Sequence, residues 1–124
     1  MRCEVKQSAE FESWWRELPG NLRNTVTAAL ELLEEQGVDL PYPKSSGVEK
    51  SKHGHMRELR IDTRGEAIRV FYAFDPDRRA LVLVGGRKRG QDRRFYRQHV
   101  RRADTIYDRF LRERELGRDS GRER

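Results

Sequence analysis

Most side chains able to do chemistry lie in one stretch of the chain. Between Lys52 and Tyr96 it holds Lys52, His53, His55, Arg57, Arg60, Arg69, Arg87, Lys88, Arg89 and Tyr96. Arginine stays charged and presents a planar fork that fits phosphate. Lysine clamps phosphate as a point charge, and neighbouring cations ease the release of its proton. Histidine, with an unperturbed pKa of about 6.5, is the ordinary proton shuttle near neutrality. Together these types suit transesterification of a phosphodiester. That reaction needs a base for the attacking hydroxyl, cations for the phosphorane and an acid for the leaving oxygen. In this division of labour Arg69 and Arg60 stabilise charge and Lys88 grips phosphate. His55 is preferred to His53 as the shuttle because it enters a strand beside the arginines. His99, on the last helix, reads as a surface residue.

Other chemistries find less support. His53 and His55 have no carboxylate or cysteine at metal-ligand spacing, so no metal is expected. Gly85, Gly86 and Gly90 lack the spacing and the terminal Lys-Ser/Thr of a phosphate-binding loop, and no cofactor is expected. Cys3 is the only cysteine, which excludes an internal disulfide. Leu40-Pro41-Tyr42-Pro43-Lys44 reads as a rigid loop segment rather than a proline-rich ligand.

Charge points the same way. The chain carries a formal +6 with a pI near 9.9. Residues 52–102 hold 15 basic and 6 acidic side chains, whereas residues 1–51 hold 6 and 9. Arginine-rich coding would not gather the surplus in one segment. An anionic partner fits this distribution. No apolar run reaches the length of a membrane span, and the N-terminus lacks the apolar core of a signal peptide, so a cytoplasmic protein without membrane contact is expected.

The elements that must position these groups are legible in the pattern. A short strand is expected over Arg2–Lys6. Ser8 caps a helix with Glu10 and Glu12 in its first turn and Phe11, Trp14, Trp15 and Leu18 at helical spacing. Pro19-Gly20 ends it. A second helix follows over Asn21–Gln36 with the stripe Leu22, Val26, Ala29, Leu30 and Leu33, and Gly37 closes it. Val38–Gly54 has no periodicity and reads as a long loop. Strands are expected over Met56–Ile61, Ala67–Phe74 and Ala80–Gly86, the last apolar on both faces and so interior. A final helix starts near Asp92, with Tyr96, Val100, Ala103, Tyr107, Phe110 and Leu111 as its apolar stripe. One domain over residues 1–116 is expected, with 117–124 a polar, flexible tail.

Strand parity then makes a sharp statement. Leu59 and Ile61 share one face, as do Ile68, Val70 and Tyr72. If both aliphatic faces meet the two helices, Ile61 pairs with Ile68, Leu59 with Val70, and Arg60 lies opposite Arg69 on the other, open face. Two facing arginines repel by roughly 0.2–1 kcal/mol. Either Glu58 or a bound anion must offset this. Neither Arg69 nor Lys88 is expected in the core. The glycines Gly85-Gly86 imply close approach to the backbone, by a ligand or by the chain itself.

The stretch HMRELRIDTRGEAIRVFYAFDPDRRALVLVGGRKRGQDRRFY, residues 55–96, resembles the RelE/HigB superfamily of type II toxins, in its phage-derived HigB-like branch. The ordered set carries the resemblance. A strand ends in E-L-R, a strand reads R-V-F-Y, an aliphatic strand leads to G-x-K, and F-Y opens the last helix. The resemblance implies a small α+β fold with an antiparallel sheet, a helical hairpin on one face and a C-terminal helix. It implies a metal-independent endoribonuclease that cuts mRNA, usually at the ribosome, restrained by an antitoxin from the adjacent gene. Arg69, Arg60, Lys88 or Arg87, and Tyr96 match the family's working positions. Glu58 and Met56 stand where the RelE type has lysines, which makes Arg57, Lys52, His53 and His55 candidate substitutes, with Arg87 and Arg89 as further RNA contacts. A gyrase poison of the ParE type and a non-catalytic nucleic-acid-binding accessory protein are the alternatives.

Overall fold

A computed structural model describes residues 1–90 and 93–122, with side chains through Gly117. Strand β1 (Val5–Gln7) leads into α1 (Ala9–Arg16) and α2 (Gly20–Gln36). Strands β2 (Ser45–Gly47), β3 (Arg57–Thr63), β4 (Glu66–Phe74) and β5 (Ala80–Lys88) follow, then α3 (Arg93–Arg122). The five strands form one sheet in the order β1-β5-β4-β3-β2. The β2 to β5 pairings are antiparallel, and β1 adds a parallel edge beside β5.

Local chemistry explains the first helix. Ser8 is extended, and its Oγ accepts the Phe11 N–H at 2.9 Å, satisfying a donor that the first turn leaves free. The same hydroxyl donates to the Leu83 carbonyl at 2.6 Å. Leu83 is the extra residue of a bulge, because Phe71 pairs with Val84 and Tyr72 with Val82. One serine thus caps α1 and docks it on β5.

The expected register is present. Leu59 pairs with Val70, Ile61 with Ile68, and Arg60 with Arg69. The aliphatic face packs on Phe11, Leu22, Val26, Leu30 and Leu33 of the helical hairpin. The opposite face differs from expectation. It is not left open, because Phe71, Ala73, Leu81 and Leu83 are covered by Val100, Ala103, Ile106 and Tyr107 of α3. Helix α3 needs this second face, since its own apolar stripe has nowhere else to go.

Strand β2 lies inside the segment expected to be loop. It pairs Ser45 with Leu59 and Gly47 with Arg57. Its Ser-Ser-Gly sequence has no apolar alternation. It is held through its backbone and through the buried Ser45 hydroxyl, 2.5 Å from that of Tyr72. Strand β5 also runs two residues beyond the expected Gly86, to Lys88. The start of α3 expected near Asp92 lies outside the described residues. The helix backbone continues past Leu116 to Arg122, and the side chains of the expected tail from Arg118 onward also lie outside them.

Around the β1 edge α1 meets α3. Arg109 grips Glu10 with two parallel bonds of 2.6 and 2.8 Å. This Arg109 hydrogen bond lowers the Glu10 pKa to about 2, against an ordinary 4.5. A depressed carboxylate pKa contributes stability above the ordinary value, and that contribution disappears as pH falls toward about 2. Both side chains are partly exposed, so screening limits the gain to about 1 kcal/mol or less. Glu10→Gln is expected to lower the urea midpoint slightly at pH 7 and to have no effect near pH 2. A pH series of denaturation curves measures this, and equal losses at both pH values would remove the ion pair as the cause.

Candidate functional site

The arginine pair is organised by a buried glutamate. Glu58 and Arg69 are each 4% exposed. Glu58 Oε1 receives the Tyr96 hydroxyl at 3.3 Å and an Arg60 N–H at 3.4 Å, with Arg69 Nε 4.0 Å away. Arg69 donates to Asp62 at 2.9 Å and to the Ile68 carbonyl at 3.0 Å. Of the two ways to offset the arginine repulsion, the protein itself supplies the carboxylate. Burial raises the Glu58 pKa, while Tyr96, Arg69 and Arg60 pull it back. Burial also raises the Tyr96 pKa, so its hydroxyl stays protonated at neutral pH and acts as a donor. Glu58 Oε2 and Arg69 Nε are buried without a hydrogen-bond partner.

Arg69 was expected at the surface and is buried instead. The reason is α3, whose first turns lay Phe95, Tyr96 and His99 over β4 and β5. Lys88, on the same sheet face, stays half-exposed with Nζ 6.0 Å from the centre of the Tyr96 ring. Glu58, Arg60, Arg69, Tyr96 and Lys88 are therefore one cluster, drawn from β3, β4, β5 and α3.

The structure separates the other candidates from it. His55 Nε2 lies 3.0 Å from the Tyr107 hydroxyl, which itself donates to the Phe74 carbonyl at 2.8 Å. His55 must then be the donor in that pair. Tyr107 is eleven residues beyond Tyr96 on α3, about 16 Å along the helix axis. His55 is thus away from the arginines, and the expectation that it stands beside them is corrected. His53 bonds Asp108 at 2.8 Å, and Lys52 pairs with the same carboxylate. Ser51 bonds Asp104 at 2.6 Å. This group fastens the segment before β3 to α3. Arg57 and Arg87 project from the hairpin face, where Arg57 bonds Ser45 at 2.9 Å and Arg87 pairs with Glu66. Arg89 is exposed just beyond β5.

The glycines face the chain itself. A Cβ on Gly85 would lie 2.4 Å from the Trp14 ring, and one on Gly86 would lie 2.5 Å from His99 Nε2. Helices press on β5 from both sides at this point. His99 is therefore not the expected surface residue. It stacks on Phe95 with ring centres 4.1 Å apart, it lies 2.8 Å from the Phe95 carbonyl, and burial lowers its pKa.

Beside the cluster a groove of about 990 Å³ runs between α3 and the segment after β2. Lys50, Arg93, Arg97 and Arg101 line it together with Glu49 and Asp104, and Glu58 forms part of its wall. The three arginines recur every four residues on one helix face. They went unnoticed in the sequence because the same turns carry Arg94 and Arg102, and only the packed stripe of α3 tells which arginines face the groove. Among the described residues no three His, Cys, Asp or Glu side chains are grouped to hold a metal, and no helix is long and apolar enough to cross a membrane.

A sheet that is antiparallel from β2 to β5 with a parallel β1 edge, a helical hairpin on one face and a C-terminal helix on the other is the RelE-like fold. Solved structures share that fold. The RelE of an archaeal RelE–RelB complex from Pyrococcus horikoshii matches with a TM-score of 0.54 at 19% identity, over 74% of this chain and 100% of that one. The isolated E. coli toxin RelE matches with a TM-score of 0.52 at 16% identity, over 81% and 97%. The family model described as "Phage derived protein Gp49-like (DUF891)" matches residues 13–108, and the chain belongs to that family. Two Mycobacterium tuberculosis proteins that carry toxin names, HigB2 and HigB3, are 34% and 36% identical over 102 residues. These alignments cover 82% of this chain, 51% of HigB2 and 88% of HigB3, so the chain spans about half the length of HigB2.

Proposed function

We propose that this protein is the toxin of a type II toxin-antitoxin pair and that it is a metal-independent endoribonuclease acting on translated mRNA. The observation that carries the reading is the convergence of Arg60, Arg69, Lys88 and Tyr96 from four elements beside an arginine-lined groove. Lys88 and Arg60 meet the phosphate. Arg69 adds charge from below, held in place by Asp62 and Glu58. Tyr96, protonated and in reach of Arg69, exchanges its 3.3 Å bond to Glu58 for one to the developing negative charge. Kinship with HigB2 and HigB3 supports the toxin assignment, and the RelE–RelB complex supports an antitoxin partner.

Induced expression is expected to arrest growth and to leave discrete cuts on translated messages, mapped by primer extension. Co-expression of the adjacent gene's product should restore growth. Arg78→Ala, on the exposed turn between β4 and β5, should remain fully active as the control. A second reading, a non-catalytic accessory protein, draws on Glu58, which already occupies both arginines. Growth arrest without RNA cuts would point instead to a gyrase-type poison, and no arrest at all would favour the accessory reading.

A further inference from the structure

Tyr42 is 70% exposed, and it is the one exposed Phe, Tyr or Trp ring among the described residues. It belongs to neither hydrophobic core. It stands between Pro41 and Pro43, whose rings restrict the backbone on either side. The turn that carries it is tied down, because Ser45 N–H donates to the Pro41 carbonyl at 3.1 Å and Arg60 N–H donates to the Lys44 carbonyl at 2.9 Å. A rigid, exposed ring is therefore held at the edge of the sheet. Its neighbour is the candidate site, since the Arg60 guanidinium lies 5.8 Å from the ring centre and the same guanidinium contacts Glu58. Tyr42, Arg60, Glu58 and Tyr96 form an unbroken series of contacts leading to the wall of the arginine-lined groove.

An exposed aromatic platform beside a cationic track is how proteins hold single-stranded nucleic acid. Bases stack on the ring and phosphates follow the charges. We propose that Tyr42 stacks a nucleobase of single-stranded RNA whose backbone passes Arg60 and continues along Lys50, Arg93, Arg97 and Arg101. This rests on the ribonuclease reading and adds to it a stacking subsite on the β2 side of the sheet. Stacking needs the ring and not the hydroxyl. The ring is outside both cores, so its removal leaves the fold intact.

The test is fluorescence anisotropy with a labelled single-stranded oligonucleotide carrying 2′-O-methyl groups, which binds but cannot be cut. Tyr42→Ala is expected to weaken binding on the order of tenfold, the usual loss of one stacked base. Tyr42→Phe should bind like the wild type. Neither change should alter the salt slope, because no phosphate contact is lost. Replacing Arg93, Arg97 and Arg101 by Gln should instead flatten that slope by roughly 0.7 per phosphate contact removed. With a cleavable RNA, Tyr42→Ala should raise KM and leave kcat unchanged. Equal binding by Tyr42→Ala and wild type would overturn the stacking subsite while the ribonuclease reading stands. The same holds if Tyr42→Phe binds as poorly as Tyr42→Ala, or if Tyr42→Ala weakens only the complex with the adjacent gene's product. A wild-type protein that binds no single-stranded RNA would overturn the stacking subsite, whereas the ribonuclease reading falls only if induced expression leaves translated messages uncut.

Discussion

Arg69→Ala is expected to cost about 3–5 kcal/mol of folding stability, the usual loss when one partner of a buried ion pair is removed. The Arg69 side chain is 5% exposed, and its guanidinium lies between the carboxylates of Glu58 and Asp62. Without it the buried Glu58 carboxyl keeps only Arg60 and Tyr96 as partners. Its pKa, already raised by burial, then rises further. The sign follows. A carboxyl with a raised folded pKa favours the folded state below its ordinary value, and that advantage is lost as pH rises through the folded value. The cost of Arg69→Ala should therefore be greatest at neutral pH and smaller near pH 4. Adding Glu58→Gln to Arg69→Ala should recover most of the loss, because it removes the stranded charge. Urea denaturation of the two single variants and the double variant at pH 7 and pH 4 measures the cycle. A loss below about 1 kcal/mol for Arg69→Ala would mean that the pair carries little stability. The burial also bears on activity data. Inactivity of Arg69→Ala by itself does not distinguish lost chemistry from lost folding, whatever its effect on RNA.

Lys88→Ala separates the two. Lys88 is half-exposed at the end of β5, over the Tyr96 ring. Its removal should change stability by no more than about 0.5 kcal/mol, as for an ordinary surface position. Loss of one preorganised charge at a reacting phosphate typically costs on the order of 10²–10³ in rate. Single-turnover cleavage by Lys88→Ala is expected to fall by that factor with an unchanged melting curve. Lys88→Arg, which keeps the charge, should retain more of the rate. Cleavage by Lys88→Ala at the wild-type rate would make the Arg87-Lys88-Arg89 run the solvated tip of a strand and nothing more.

What the sequence determined alone is the part governed by period. Helical spacing of apolar residues set α1, α2 and the core stripe of α3. Alternation in β3 and β4, joined to the single assumption that both aliphatic faces meet the hairpin, set the register and with it the Arg60–Arg69 pair. Side-chain parity is a local property of the chain, so a one-residue slip would have turned every buried side chain to the wrong face. Resemblance carried the fold class further, to a sheet with a hairpin on one side and a terminal helix.

The tertiary structure alone decided what α3 covers. Its packing buried Arg69, placed Tyr96 against Glu58, turned His99 inward under Gly86 and selected Arg93, Arg97 and Arg101 to face the groove. It also sent His53 and His55 to Asp108 and Tyr107, away from the arginines. Strand β2 escaped notice for a related reason. Ser45 and Ser46 bear no apolar pattern, and the strand exists because β3 offers it a free edge and Tyr72 a buried hydroxyl. Contacts between elements far apart in the chain depend on where each helix lands on the sheet. No spacing within a single element encodes that placement.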